Sequence, residues 1–352
     1  MRRRDFLGAL ASAGALAGVR PHASGPAARH WAWVHGGSQR TVDEWRRRFV
    51  RLRGAGIGGV HVGGGDLELL SNAAREEGLT FSRWIWVLNR NGDSWVKANH
   101  PEWFTVSRRG ESSLEKPPYV GYYNWLCPTR PEVREYLSRE VADLAMNPAV
   151  DEVHLDYVRH CDVILPVGLW EKYGLVQDHE LPEFDFCYCD VCRAAFRQQS
   201  GVDPRELPDP ESDLAWRKFR WDGVTGLVKE LARGVKGAGK PITAAVFPTP
   251  ALARKLVRQA WDEWPLDAAF PMTYHAFYKE GIPWIGEAIR EGVAAVPVSV
   301  PIFAGLYLPD LAPADLGRAV RAALDAGAAG VSLFEMDGLT DAHLAALGSA
   351  GG

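Results

Sequence analysis

Charge of one sign is what this chain has least of. Its 40 Lys and Arg face 44 Asp and Glu across 352 residues, a formal net charge of −4. With no basic excess to follow a phosphate backbone, nucleic acid is not an expected partner. Long apolar runs are also lacking: one weakly apolar stretch lies near the N-terminus, and no second run could span a bilayer. No Gly-x-Gly-x-x-Gly follows the first predicted strand, as a dinucleotide-binding sheet would want. The Gly63-Gly64-Gly65 turn instead predicts a close backbone approach. Cysteines number only 5, all between residues 127 and 192.

Aromatic rings are plentiful. Fourteen Trp, 13 Phe and 10 Tyr exceed what one core needs, so some of them are expected to line a groove, where flat faces suit sugar rings. At the N-terminus, Arg2-Arg3-Arg4-Asp5-Phe6-Leu7-Gly8 precedes an Ala/Gly/Leu-rich run to Val19. This resembles a bacterial twin-arginine export signal, and a membrane anchor is disfavoured by the shortness and glycines of the run. Residues 1–28 are therefore set apart from the fold. The mature protein is expected to be periplasmic or extracellular, with no stable membrane span once the signal is removed.

From residue 30 to 350 one unit recurs: apolar strand, polar turn, amphipathic helix, Gly-containing turn. The strands are expected at 31–35, 57–62, 84–88, around Asp156, 241–247, 267–275, 296–306 and 330–335. Thr41 and Glu44 form a capping-box signature before the first helix. Pro131 sits in the favoured first turn of the helix that leads to the Asp156 strand. Eight such repeats predict an α/β fold, a single (β/α)8 TIM barrel, with long insertions after strands 3 and 4. The insertions, residues 89–124 and 161–210, are too long for simple connections, and loops of this length usually carry function.

A closed barrel gathers the carboxyl ends of its strands in one mouth. There the sequence delivers His35, His61, Asp156 with Arg159, Tyr274 with His275, and Glu335 with Asp337. Strand five ends without an acid. Asp156 and Glu335 are the pair best placed for glycoside hydrolysis, which needs one protonated carboxyl and one carboxylate. Asp156 is the expected nucleophile or general base and Glu335 the leading general acid; neither role requires a cofactor. Asp66, Asp162 and Asp185 are substitutes, and a structural salt bridge between Glu335 and Arg159 is the rival reading. Trp33, Trp103, Trp125 and Trp170 are candidates to stack on sugar rings. His35, His61, His154, Arg159, Asp185, Tyr274 and His275 are candidates to bind substrate or orient the acids.

Cys187, Cys189 and Cys192 have a spacing that can ligate zinc in a structural site, given a fourth ligand from Cys127, Cys161, His160 or His179. Disulfides and plain thiols remain open alternatives.

The stretches 124–137 (NWLCPTRPEVREYL) and 151–159 (DEVHLDYVR), the segment 186–196 (FCYCDVCRAAF) and the PMTYH of residues 271–275 are similar to the glycosyl hydrolase-like (β/α)8-barrel proteins related to the bacterial family 10-like group. That resemblance implies a barrel acting on or binding glycans, with the strand-four acid at Asp156 and its arginine at Arg159. Glu152 stands where a glycine is usual, and His160-Cys161 where Tyr-Pro is frequent, so the loop geometry departs from the group. The expected function is a glycosidase acting on a poly- or oligosaccharide. Two rivals are a non-catalytic glycan-binding barrel and a metal-dependent hydrolase or carbohydrate esterase using His35, His61, His275 and Asp156. The paired-histidine motif typical of zinc hydrolases on such a fold is missing from the first strand.

Overall fold

The computed structural model describes residues 30–350; the export-signal reading lies outside them. Eight strands alternate with helices: β1 (His30–His35), α1 (Val42–Gly54), β2 (Ile57–Gly63), α2 (Leu67–Glu76), β3 (Thr80–Trp86) and a short α3 (Ser94–Asn99). There follow α4 (Pro131–Met146), β4 (Glu152–Asp156), a one-turn α5 (Trp170–Tyr173), α6 (Asp190–Ser200) and α7 (Leu214–Gly237). The chain ends with β5 (Ile242–Val246), α8 (Pro250–Val257), β6 (Ala268–Pro271), α9 (Ile282–Ala295), β7 (Phe303–Tyr307), α10 (Pro313–Asp325), β8 (Gly330–Phe334) and α11 (Asp341–Ala350).

All strand pairs are parallel, in the order β6-β5-β4-β3-β2-β1-β8-β7. Parallel bridges Ala269–Ile302 and Met272–Gly305 join β6 to β7. The sheet thus curls into a (β/α)8 barrel with long insertions after β3 and β4. Among the described residues no helix is long and apolar enough to cross a membrane.

Local chemistry explains the elements. Thr41 and Glu44 cap α1 reciprocally: Thr41 N–H donates to Glu44 Oε2 at 2.7 Å, and Glu44 N–H donates to Thr41 Oγ1 at 3.3 Å. Gly65 has φ +72, and a Cβ there would lie 2.2 Å from the Gly36 carbonyl oxygen, so the glycine turn is the close approach that was expected.

Three strands differ from expectation. β6 stops at Pro271, short of the expected 275, and His275 opens a 3-10 turn instead. β3 begins at Thr80, not Trp84, because polar Ser82 and Arg83 hide it: Ser82 bonds Glu152 inside the barrel, and Arg83 reaches the Gly64 carbonyl. β7 begins at Phe303, because Pro297 and Pro301 remove amide donors from the apolar run before it and Val298 is exposed.

The lumen is filled in tiers. At the lower end Glu152 Oε1 accepts from Ser82 Oγ at 2.7 Å and from Thr243 Oγ1 at 2.8 Å. Above it, His154 packs against His61 at a tilt (ring centroids 3.9 Å apart), which stacks on Trp31 (4.6 Å), with Phe270 edge-on. Trp33 and Trp84 meet at right angles in the next tier, under the mouth.

Burial pushes the Glu152 carboxyl up to about 7, against the pull of its two hydroxyl donors. Its folded-state pKa is raised, so its contribution to stability is full below the unfolded value near 4.5 and is lost as pH rises through 7. On the order of 3 kcal/mol of pH-dependent stability should disappear in Glu152→Gln, read as the difference in urea midpoints between pH 4.5 and pH 8 for wild type and variant. Equal pH slopes in the two proteins would contradict a protonated Glu152.

Candidate active site

β4 carries Glu152, His154 and Asp156 on its lumen face, as the two-residue period requires. Only Asp156 reaches the mouth. There it borders a cavity of about 340 Å³ walled by Trp33, Trp84, Trp86, Tyr157, Phe247, Tyr274 and Phe334 from the strands and their ends. The insertion after β3 adds Tyr119, Tyr122 and Tyr123; the insertion after β4 adds Asp162, Leu165, Leu169 and Tyr173.

The carboxylate is held on both oxygens. Trp84 Nε1–H donates to Oδ2 at 3.0 Å and the Tyr157 amide donates to Oδ1 at 2.6 Å. Tyr157 has φ +48, a left-handed conformation that is costly for a tyrosine, and the bend turns its amide back toward Asp156. Trp84 has room because β2 ends in Gly63, where a Cβ would lie 2.6 Å from the indole. Burial pushes Asp156 up to about 6; the two N–H donors and the Arg159 charge pull the other way and do not prevail. A carboxyl so placed is a proton donor at mildly acidic pH.

Arg159 is not a partner of Glu335. Its guanidinium donates to Asp162 Oδ2 at 2.9 Å and lies over the rings of Trp125, Tyr157 and Phe247, with Cζ 4.9–5.3 Å from their centroids. Glu335 instead pairs with His35, Nε2 to Oε2 2.8 Å. His35 lines the cavity, whereas Glu335 borders a shallower depression beside Tyr307 and Phe334. The imidazole thus stands between Glu335 and the cavity wall.

Of the other expected site residues, Trp33 and Tyr274 face the cavity. His61 and His154 do not: both are fully buried in the lumen below it. Trp125 is buried beneath Arg159. Trp103 packs on His100, centroids 3.9 Å apart, among Trp95 and Tyr136. Trp170 donates its indole N–H to the Leu165 carbonyl at 2.8 Å, bracing the wall instead of lining it. His275 opens a short 3-10 turn after Tyr274. Asp185 is fully buried, bonded to Arg220 and accepting from Tyr188 Oη at 2.7 Å, so it is spent on structure. Asp66 caps α2, accepting from the Leu69 amide.

Sequence reasoning passed over Trp84, Trp86, Tyr157 and Phe334 as wall residues. Starting β3 at Thr80 would have found the first two, which share the lumen face with Ser82.

Two groups of ligating atoms lie within 4.8 Å of one another among the described residues: Cys127, Cys187, Cys189 and Cys192; and His61, Glu152 and His154. Neither includes His35, His275 or Asp156, so the histidine set of the metal-hydrolase reading is not assembled. In the lumen group His154 Nδ1 and Glu152 share the Thr243 hydroxyl.

No protein-family model and no curated protein matches the chain. Solved structures do. The PgaB (BpsB) glycoside hydrolase domain from Bordetella bronchiseptica aligns with TM-score 0.60 at 14% identity, over 92% of this chain and 97% of that one. The catalytic domain of beta-amylase from Paenibacillus polymyxa aligns with TM-score 0.63 at 10% identity over the same shares. A beta-galactosidase from Bacillus circulans sp. alkalophilus aligns with TM-score 0.62 at 14% identity, over 92% of this chain and 55% of that one. At such identities the likeness is one of fold.

Proposed function

We propose that the protein is an exported glycoside hydrolase that takes a sugar of a poly- or oligosaccharide into the aromatic cavity at the barrel mouth. The observation that carries this reading is Asp156, a carboxyl pushed up to about 6 yet gripped by two N–H donors among aromatic rings. Glycosidic cleavage needs a proton for the leaving oxygen at the moment the bond opens, and a buried acid supplies it. The second group is the His35–Glu335 pair on the neighbouring wall, in which the imidazole that lines the cavity activates water and the Glu335 carboxylate holds that imidazole. These roles reverse the assignment expected from strand position, because burial distinguishes Asp156. The low-identity structural neighbours described as glycoside hydrolases support the class.

A glycan-binding barrel without catalysis draws its support from Glu335, which does not itself border the cavity. The pH profile on a cleaved glycan separates the two readings. With Asp156 as proton donor, kcat/KM should fall about tenfold per pH unit above about 6. In Trp84→Phe the ring stays and the Oδ2 donor is lost. The donor favours the ionised form, so its removal should move the limb upward by about one pH unit. A profile flat to pH 8 would remove Asp156 from the acid role, and no turnover on any glycan would favour binding.

A further inference from the structure

The insertions after β3 and β4 meet at the cavity, where Tyr119 Oη donates to the Asp162 carbonyl at 2.9 Å, and again away from it, where four cysteines lie at their seam. Cys127 follows the end of the first insertion; Cys187, Cys189 and Cys192 span the second insertion's entry into α6. All four are buried and unpaired. Cys127 Sγ is 3.4 Å from Cys192 Sγ and 3.7 Å from Cys189 Sγ, and the four sulfurs all lie within 4.8 Å of one another. A disulfide would bring two of them to about 2.05 Å. A tetrahedron of thiolates about 2.3 Å from zinc has edges of about 3.8 Å, the scale seen here. The other fourth-ligand candidates lie elsewhere: His179 is exposed beside Asp178, and His160 and Cys161 are outside the group.

We infer that Cys127, Cys187, Cys189 and Cys192 bind one structural zinc ion that staples the two insertions together and thereby holds the cavity wall. Binding converts four thiols to thiolates and releases four protons to solvent, leaving a tetrathiolate complex of charge −2. The surroundings suit that charge. Cys189 is the N-cap of the 11-residue α6, at the positive end of its dipole, and the Arg130 guanidinium reaches Asp190 from beside the cluster at 2.6 Å. The ion would add to a seam that already carries a bridge between Ser107 and Phe186, the Tyr188 amide on the Val106 carbonyl at 2.7 Å, the Arg108 amide on the Asp185 carbonyl at 2.8 Å and the Arg109–Glu183 ion pair at 2.9 Å. On one side of it the chain supplies Tyr119, Tyr122 and Tyr123 to the cavity, and on the other Asp162, Leu165 and Tyr173. The inference is independent of what the cavity hydrolyses.

The test is metal content of the full chain, with cobalt(II) substitution of the wild type as a second readout. The expected result is about one zinc per chain, with a sulfur-to-cobalt charge-transfer band and tetrahedral d–d bands after exchange. Cys127→Ser should lower zinc affinity by more than about tenfold, while Cys161→Ser, the neighbouring thiol outside the group, should keep zinc and spectrum. Chelation in the presence of a thiol reagent should release the ion, titrate four more thiols and raise protease cutting within residues 104–190. Wild type that folds without zinc and refuses cobalt overturns the inference, as does Cys127→Ser that folds and binds zinc as tightly as wild type.

Discussion

Asp156→Asn is expected to leave the barrel folded and to lower kcat on a cleaved glycan by roughly 10²- to 10⁴-fold, the usual worth of a positioned general acid. Asn keeps the shape and one acceptor oxygen, which serves either Trp84 Nε1 or the Tyr157 amide but not both, so the side chain stays in place at the cost of about one hydrogen bond. What disappears is the proton. KM should change little, since the cavity's aromatic faces are untouched. The sign on stability is opposite to that on activity. The Asp156 pKa is raised on folding, so the wild type loses stability as pH rises from the unfolded value near 3.8 through about 6. The Asn variant does not, and at pH 8 its urea midpoint should equal or exceed that of the wild type. A variant that is less stable at pH 8 but fully active would put the catalytic proton elsewhere.

Arg159→Met should be the most destabilising single change at the mouth, by about 3–5 kcal/mol, because it leaves the Asp162 carboxylate buried without its partner. The loss is one of charge compensation and of three cation–π contacts. Adding Asp162→Asn to Arg159→Met should therefore recover part of the loss, since no lone charge remains. Denaturant unfolding of the two single variants and the double variant checks this. Strictly additive effects would mean that Arg159 and Asp162 do not act as a pair.

The barrel was legible in the sequence because its signal is repetition: eight apolar strands with helices between them survive an error in any one boundary. The boundary errors came from residues whose partners lie far along the chain. Ser82 looks like a break in a strand until Glu152, seventy residues later, accepts its hydroxyl. Asp156 could be found because a strand end in a barrel has a fixed destination. The fates of Asp185 and Arg159 could not: Asp185 and Asp162 lie in an insertion without periodicity, and Arg220, the partner of Asp185, comes from α7 thirty-five residues later. His61 and His154 illustrate the same limit. Polar residues on strands suggested a mouth, but their positions along β2 and β4 place them a tier lower, among Trp31 and Phe270. The cysteine spacing put Cys187, Cys189 and Cys192 together, while Cys127, sixty residues earlier, needed the fold to bring it beside them.

Sugar release is the most direct measurement. Wild type, Asp156→Asn and Glu335→Gln would be incubated with a panel of plant, algal and bacterial polysaccharides, and glycan binding measured on the same samples. The account predicts that wild type releases sugar, that Asp156→Asn binds the same glycan with turnover lost, and that Glu335→Gln is also impaired. If no glycan is cleaved, yet all three proteins bind one equally well, the cavity is a binding site and the hydrolase assignment is contradicted.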